Sequence, residues 1–190
     1  MDFKPLFERV KNILITPQTE WPKIAGESET VASLYKRYIL ILAAIPALAI
    51  VIGSLGYGLP FAVVGYLVTL ALIYLVSLIA NALAPSFDGQ KDPIAALKVV
   101  TYSSTPGWVG GIFNVIPIVG SLLAFLAGLY GIYLLYLGLP VLMKNPPEKS
   151  LGYTLLVVVC YIALSILFMV VLMAGVLGAV GVGGLLMGRW

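Results

Sequence analysis

The sequence predicts an all-α integral membrane protein with five transmembrane helices, preceded by an amphipathic cytosolic helix. Of the 190 residues, 61% are hydrophobic and only 10% are charged. The mean hydropathy of +1.07 lies outside the range of water-soluble domains. The apolar residues form five runs, each close to the roughly 20 residues that span a bilayer core. The charged residues lie almost entirely in the N-terminal region and in two short loops.

Residues 1–37 are predicted to form a cytosolic, amphipathic region in front of the bundle. Apolar residues between Pro5 and Ile15 recur at helical spacing, with charged residues between them. This pattern predicts a helix that lies on the membrane surface or packs on the cytosolic ends of the bundle. Phe7 is the predicted membrane-surface anchor of this helix.

The prolines that follow predict an interruption. Pro17 and Pro22 leave little room for a helix between them, so a break is expected over Thr16–Pro22. Trp21 lies in this break and is predicted to be a second anchor, in the headgroup layer. A further helix is expected to begin near Glu29 and to run straight into the membrane.

The membrane domain is predicted to occupy residues 38–176. Two of the connections between its apolar runs are short turns that end in proline, which predicts two helical hairpins. The glycine-rich tail, residues 177–190, is interpreted as a frayed helix end or as a close-packing surface. The five predicted spans are Tyr38–Leu55, Phe61–Ala84, Ile94–Phe113, Ile118–Leu142 and Leu151–Val176.

The distribution of positive charge predicts the orientation. Of the 11 Lys and Arg residues, all except Arg189 lie on the side of the membrane that carries the N-terminus. Cytoplasmic loops carry the excess of Lys and Arg, so the N-terminus is expected in the cytoplasm. With an odd number of spans, the C-terminus is then expected outside.

The most polar part of the membrane domain is Thr101–Trp108, within the third predicted span. Because hydrocarbon cannot satisfy its hydroxyl and backbone groups, its neighbours must bury it or it must line a wet cavity. Pro106 is predicted to distort the helix and to free the Tyr102 carbonyl, with a nearby hydroxyl compensating. The glycines at 107, 110 and 111 are expected to let a neighbouring helix approach closely.

Polar side chains recur at helical spacing on the second, third and fifth spans, and we name this set the polar seam. It is interpreted as a packing surface with interhelical hydrogen bonds or, alternatively, as a cleft for a lipid headgroup or a solute. Its members are Tyr74, Ser77, Asn81, Thr101, Ser104, Thr105, Trp108, Tyr161 and Ser165.

Catalysis and coupled transport are both disfavoured. The chain has no histidine, no acidic residue within a predicted span, and no cluster with metal-ligand spacing. Lys98 is the only ionisable residue near membrane depth, and its long stem is predicted to reach back to the headgroups. No enzyme activity, metal or cofactor is therefore predicted. The lack of a continuous basic face argues against nucleic acid, and the single cysteine, Cys160, is expected to be a packing residue.

The fourth predicted span ends in Gly-Leu-Pro, and a short loop with Lys and two Pro leads to a Gly-Tyr-Thr sequence at the start of the fifth. These features resemble the short bacterial branch of the Yip (Ypt/Rab-interacting protein) family. Phe87-Asp88-Gly89 before the third span is similar to that branch as well. The residues that carry the resemblance at the cytosolic side are Gly138, Leu139, Pro140, Lys144, Pro146 and Tyr153.

The resemblance implies a five-helix Yip domain in a bacterial inner (plasma) membrane. It implies action through membrane lipids, a second copy or other membrane proteins, as a scaffold of membrane organisation or trafficking. A passive channel or transporter along the polar seam is the alternative. Eukaryotic members associate with Rab GTPases, but their Asp-Leu-Tyr-Gly-Pro motif is absent here, where Asp2–Pro5 is the nearest match. A Rab-type partner is therefore not expected. Pro140 is expected to act as a hinge or to end the fourth helix.

Overall fold

The computed structural model describes residues 4–116 and 118–187, and every regular element within these ranges is helical. The predicted fold class, an all-α membrane protein, is confirmed. The helices are α1 Lys4–Ile15, α2 Pro17–Gly26, α3 Val31–Gly53, α4 Leu59–Leu83, α5 Pro93–Ser103, α6 Thr105–Gly110, α7 Val119–Leu142 and α8 Pro147–Met187.

The two ends of the bundle differ in their loops. One end carries the charged connections between α4 and α5 and between α7 and α8, and we call it the charged end. The other end carries the α3–α4 turn and the 3₁₀ turn Gly111–Val115, and we call it the far end. Helix α3 begins at the charged end, where Thr30 and Ser33 form a capping box, and it contains a π-helical turn at Tyr35–Ile39.

Within the described residues, four segments are long and apolar enough to cross a membrane, namely Val31–Gly53, Leu59–Phe87, Gly120–Leu142 and Pro147–Ala174. The third predicted span is instead divided into α5, α6 and the following 3₁₀ turn. It starts at the charged end, where the Gln90 amide donates to the Met143 carbonyl (2.7 Å). It finishes at the far end, where a Cβ on Gly53 would lie 2.9 Å from the Val115 carbonyl oxygen. The segment therefore runs the length of the bundle, which is roughly consistent with five passes.

Helix α5 forms the centre of the bundle. Every residue from Ala95 to Ser103 is buried, and α3, α4 and α7 pack around it. The Asp92 carboxylate caps its first turn, accepting from the amides of Ile94 and Ala95 (both 2.9 Å). The central position of this segment agrees with the expectation that neighbouring helices bury its polar groups.

The distortion predicted near Pro106 is present. Helix α5 ends at Ser103, and α6 begins at Thr105 with Pro106 in its first turn, where the missing N–H is tolerated. The Ser104 hydroxyl donates to the Val100 carbonyl (2.8 Å) and not to the Tyr102 carbonyl. The helix is thus broken as expected, but the Ser104 hydroxyl does not make the expected hydrogen bond to the Tyr102 carbonyl.

Helix α2 corrects the break predicted over Thr16–Pro22. Pro17 occupies the first helical turn, and Pro22 lies inside the helix. One face of α2, formed by Pro17, Glu20, Trp21 and Ile24, is buried in the bundle. This packing offsets the roughly 3 kcal/mol that an internal proline costs a helix.

Helices α1 and α2 together form a hairpin, Lys4–Gly26, that enters the bundle from the charged end. Ile13 is fully buried, and the Leu14 carbonyl accepts a hydrogen bond from the Tyr130 hydroxyl (2.8 Å). Tyr130 lies about 18 Å along α7 from Leu142, at 1.5 Å per residue. The N-terminal hairpin is therefore packed against the bundle, the second of the two predicted arrangements, and it reaches well beyond the bundle's end.

One predicted helix end is displaced, whereas the fourth span ends at Leu142 as predicted. Helix α7 continues through Pro140 to Leu142, so this proline does not end the helix. Helix α8 continues past Val176, through much of the glycine-rich tail, to Met187. Within an apolar run, a helix is the conformation that satisfies the backbone internally. Residues 188–190 of the predicted tail lie outside the described residues.

Candidate functional site

A cleft of about 520 Å³ opens on the side of the bundle between α4, α5–α6, α7 and α8. This volume falls within the roughly 300–1,000 Å³ of small-ligand pockets. The lining is mostly apolar, and Phe125, Leu129 and Ile162 at the cleft are about half exposed or more. The cleft thus faces the surroundings of the bundle laterally. We call it the lateral cleft.

Glycines shape the lateral cleft in two ways. A Cβ built on Gly107 or Gly128 would have no atom within 4 Å, so these positions border free space. Gly131, in the same wall, lies against α5, where a Cβ would be 2.7 Å from the Ser103 carbonyl oxygen. The close approach predicted for the glycines holds for Gly110 and Gly111, which lie against Ala127 and Pro46, but not for Gly107.

Few polar groups of the lateral cleft are free to bind a ligand. The hydroxyls of Thr69 and Ser104 donate to carbonyls of their own helices, Gly65 (2.9 Å) and Val100 (2.8 Å). The Ser103 hydroxyl oxygen is buried and has no hydrogen-bond partner in the described part of the chain. The wall of the lateral cleft that α5 forms therefore offers one unpaired hydroxyl, that of Ser103, in a mostly apolar surface.

The structure does not bring the polar seam together in one surface. Only Ser104, Trp108 and Tyr161 line the lateral cleft. Three members, Ser77, Thr101 and Thr105, are buried in helix packing, while Tyr74 is 43% exposed. Asn81 and Ser165 are half-buried and lie away from the cleft.

The serine hydroxyls of the seam bond within their own helices, and the buried Thr101 hydroxyl has no hydrogen-bond partner in the described part of the chain. Ser77 donates to the Tyr74 carbonyl and Ser165 to the Tyr161 carbonyl, both at 2.7 Å. Thr105 differs, because its hydroxyl shares a 2.8 Å hydrogen bond with that of Tyr38 on α3. The expected network of interhelical hydrogen bonds is therefore reduced to this contact among the described hydroxyls of the seam.

A buried ionic cluster lies where the N-terminal hairpin meets α5. The Arg9 guanidinium contacts the carboxylates of Glu20 (2.5 Å) and Glu27, and its carbon lies 5.8 Å from the centre of the Tyr102 ring. Glu20 is only 2% exposed. Burial lowers the pKa of Arg9, but the hydrogen bond to Glu27 and the electrostatic effects of Glu27, Tyr102 and Glu20 together outweigh it and raise the pKa above its usual value. The guanidinium therefore stays charged.

Sequence reasoning missed this cluster because Glu20 and Glu27 lie among lysines outside the spans, a pattern typical of solvated or headgroup-facing charges. Glu20 reaches the bundle interior on α2, a segment predicted to be a break. The signal that could have found it is the spacing of Pro17, Glu20, Trp21 and Ile24, which places them on one helical face.

Lys98 does not reach back to the headgroups, contrary to the prediction. It is 4% exposed, and its ammonium group donates to the carbonyls of Ile24 (2.8 Å) and Glu27. These carbonyls lie at the C-terminal end of α2, where a positive charge is favourable. The hairpin occupies the space through which the lysine stem would have reached the membrane surface.

Trp21 is a core residue and not a headgroup anchor, so this prediction was wrong. It is 1% exposed, and its ring packs edge-on against Tyr102 with centroids 6.5 Å apart. A Cβ on Gly138 would lie 2.7 Å from the Trp21 ring, so α7 needs glycine at this position. Phe7, the other predicted anchor, is 69% exposed.

The other residues that carry the family resemblance lie at the charged end, in or near the loop between α7 and α8. The Asn145 side-chain amide donates to the Pro146 carbonyl (3.0 Å) and the Ser150 hydroxyl (2.9 Å). The Tyr153 hydroxyl donates to the Ala80 carbonyl, and its ring stacks on Phe87 at 4.8 Å. Leu139 is fully buried, Pro140 is half-buried, and Lys144 is exposed with a positive φ of 55°.

Metal-ligating side chains do not converge in the described part of the chain. No group there contains three or more His, Cys, Asp or Glu side chains, and Cys160 is a half-buried free thiol. The chemistry available is that of an apolar cleft, an unpaired hydroxyl and a buried ionic cluster.

A family model described as the Yip1 domain matches residues 11–170. The chain is also 27% identical over 156 residues to the inner membrane protein YohC of Escherichia coli strain K12, covering 73% of this chain and 80% of the relative. The protein of the same name from Escherichia coli O6:H1 matches to the same extent. No solved structure matches the chain.

Proposed function

This chain belongs to the Yip1 domain family, and on that premise we propose that it is a non-enzymatic membrane protein that acts through lipid contacts, holding a lipid acyl chain in the lateral cleft. The relatives are named inner membrane proteins. We therefore place the chain in a bacterial inner membrane, with its N-terminus in the cytoplasm and its C-terminus outside. The resemblance to the Yip family also suggests that the protein binds a second copy of itself or other membrane proteins.

The position and shape of the lateral cleft support this proposal. Along α7 its lining runs from Leu135 to Ala124, which is about 16 Å at 1.5 Å per residue, beginning about 10 Å from Leu142. These depths fall within a hydrocarbon core of about 30 Å. An apolar cleft that is open to hydrocarbon is filled by lipid chains, because water there would lack polar partners.

The lateral cleft is less suited to a hydrated solute, the basis of the channel alternative. A buried water or polar solute needs about two to four hydrogen-bond partners. The Ser104 and Ser77 hydroxyls in and near the cleft are already bonded within their own helices, so Ser103 on the α5 wall and Tyr161 on α8 are the hydroxyls to which no hydrogen bond is assigned in the described lining. This hydrogen-bonding pattern favours a lipid chain over a transport path.

The test uses a phospholipid with a photoactivatable diazirine on its acyl chain, in nanodiscs that contain the protein. Peptide mapping should find the label concentrated on residues that line the cleft. Gly128→Leu fills the cleft and should reduce that labelling several-fold. Gly65→Leu is the matched control, since Gly65 is exposed on α4, outside the cleft, with no atom within 4 Å of a Cβ.

Uniform labelling of all outward-facing apolar residues, unchanged in the Gly128→Leu variant, would refute the lipid site. Liposome flux tests the alternative. Protein-dependent leakage of a small solute that is altered by Ser104→Ala would favour a passive pathway.

A further inference from the structure

A second pocket, of about 420 Å³, opens at the charged end between α1 and α3, with Tyr102 of α5 among its lining residues. It shares no lining residue with the lateral cleft. We call it the charged-end pocket. Binding at this pocket does not depend on the lipid chain proposed for the lateral cleft.

One wall of the charged-end pocket is graded from polar to apolar. Glu29, Ser33, Arg37 and Ile41 follow one another at intervals of about one helical turn, and all four line the pocket. The charged members lie nearest the charged end, and Ile41 lies deeper along α3. The facing wall carries Pro5 and Leu6 of α1. A lipid has the same gradation, with a polar headgroup above an apolar body.

The charges that line the pocket balance, but only two of them pair with each other. Arg9 and Glu27 form an ion pair. Arg37 is exposed and has no ion pair among the described residues. Glu29 is half-buried and accepts a hydrogen bond from the Ser33 hydroxyl. One positive and one negative group thus remain available to a ligand, two helical turns apart.

We propose that the charged-end pocket binds the headgroup of a zwitterionic phospholipid of the phosphoethanolamine type. The phosphate lies at Arg37, because a guanidinium donates two parallel hydrogen bonds to phosphate oxygens. The primary ammonium group lies at Glu29, to which its N–H groups donate. Arg37 belongs to the π-helical turn of α3, and such turns are frequent at functional sites.

The structure favours ethanolamine over the other common headgroups. A quaternary choline cannot donate to Glu29 and depends on free aromatic faces, whereas Arg9 already lies 5.8 Å from the Tyr102 ring centre. An anionic headgroup would leave Glu29 without a positive partner and add repulsion from its carboxylate.

The binding experiment uses the purified full-length protein in detergent, titrated with dihexanoyl-phosphatidylethanolamine and followed by calorimetry. Arg37→Gln should weaken binding by at least about tenfold, the loss expected for a charge-assisted hydrogen bond. Arg37→Lys, which retains the charge, should recover part of the affinity. Lys36→Gln is the matched control, because Lys36 is an exposed neighbour outside the pocket and should change binding by less than about twofold.

Further probes separate the two charges and the source of the phosphate. Glu29→Gln should weaken binding of the ethanolamine lipid and leave the weaker binding of dihexanoyl-phosphatidylcholine unchanged. Equal losses in Arg37→Gln and Lys36→Gln would overturn the proposal, since they indicate general surface attraction. Inorganic phosphate that binds as tightly as the ethanolamine lipid would also overturn it, because a free anion would then suffice. Thermal unfolding of each variant verifies that it is folded.

Discussion

The two ends of this bundle are built differently, and α7 shows the contrast within one helix. Near the charged end its leucines are buried by protein, whereas near the far end its apolar side chains are exposed. The buried set is Leu134, Leu135, Leu139 and Leu142, and the exposed set is Leu122, Phe125, Leu126 and Leu129. Helix α8 differs, because Tyr153 and Val157 are buried while Leu151 and Leu155, equally near the charged end, are exposed.

The N-terminal hairpin accounts for much of the contrast along α7, against which α2 packs. It adds a layer of protein at the charged end only, and it brings Arg9 and Glu20 into that layer. At the far end no such layer is present among the described residues, and the apolar side chains of α7 there stay exposed. The two ends of α7 therefore differ in how much protein covers their apolar side chains.

The largest expected effect tests whether the hairpin is integral to the charged end. Trp21→Ala removes a fully buried ring and should lower the free energy of unfolding by about 3–5 kcal/mol. Phe7→Ala, on the exposed face of α1, should change it by less than about 0.5 kcal/mol. Unfolding in mixed micelles with increasing SDS measures both. Similar, small losses would show that the hairpin is only loosely docked.

A pair of leucines on α7 tests the contrast directly. Leu139→Ala should cost about 2–5 kcal/mol, because it leaves a cavity in packed protein. Leu122→Ala, which is 60% exposed in the wild type, should cost less than about 1 kcal/mol, since lipid fills the space left by the side chain. The same SDS titration applies. Equal costs would remove the distinction between the two ends.

Lys98 links the hairpin to the central helix. Lys98→Met should cost about 1.5–3 kcal/mol, because the carbonyls of Ile24 and Glu27 lose a charged donor. Hydrogen exchange should accelerate in α2 in particular. The control is Lys91→Met, at an exposed position of the α4–α5 loop. Unchanged protection of α2 would contradict the role assigned to Lys98.

The smallest expected change in stability is at Ser103, which lines the lateral cleft. Ser103→Ala removes an unpaired buried hydroxyl and should be neutral or stabilising by up to about 1 kcal/mol. Thr105→Ala breaks the bond with Tyr38 and should destabilise by about 1 kcal/mol. A clear loss of stability in Ser103→Ala would mean that this hydroxyl has a bound partner.

The sequence predicts the spans well because long apolar runs need no knowledge of tertiary contacts, and it predicts the break at Pro106 because proline acts locally. It fails at Trp21 and Lys98, where local composition cannot show whether the N-terminal segment packs in the bundle. The sequence does not predict the lateral cleft either. Gly107 and Gly110 look alike in sequence, yet one borders free space and the other touches Ala127.

The hydrogen bond between Tyr130 and Leu14 joins residues 116 positions apart. The hairpin is translated well before the α7 surface on which it rests. Until α7 is made, the Leu14 carbonyl lacks its Tyr130 partner and the Trp21 ring lacks the surface at Gly138. The hairpin therefore precedes the central helices in the chain but reaches its native position only after α7 has been made.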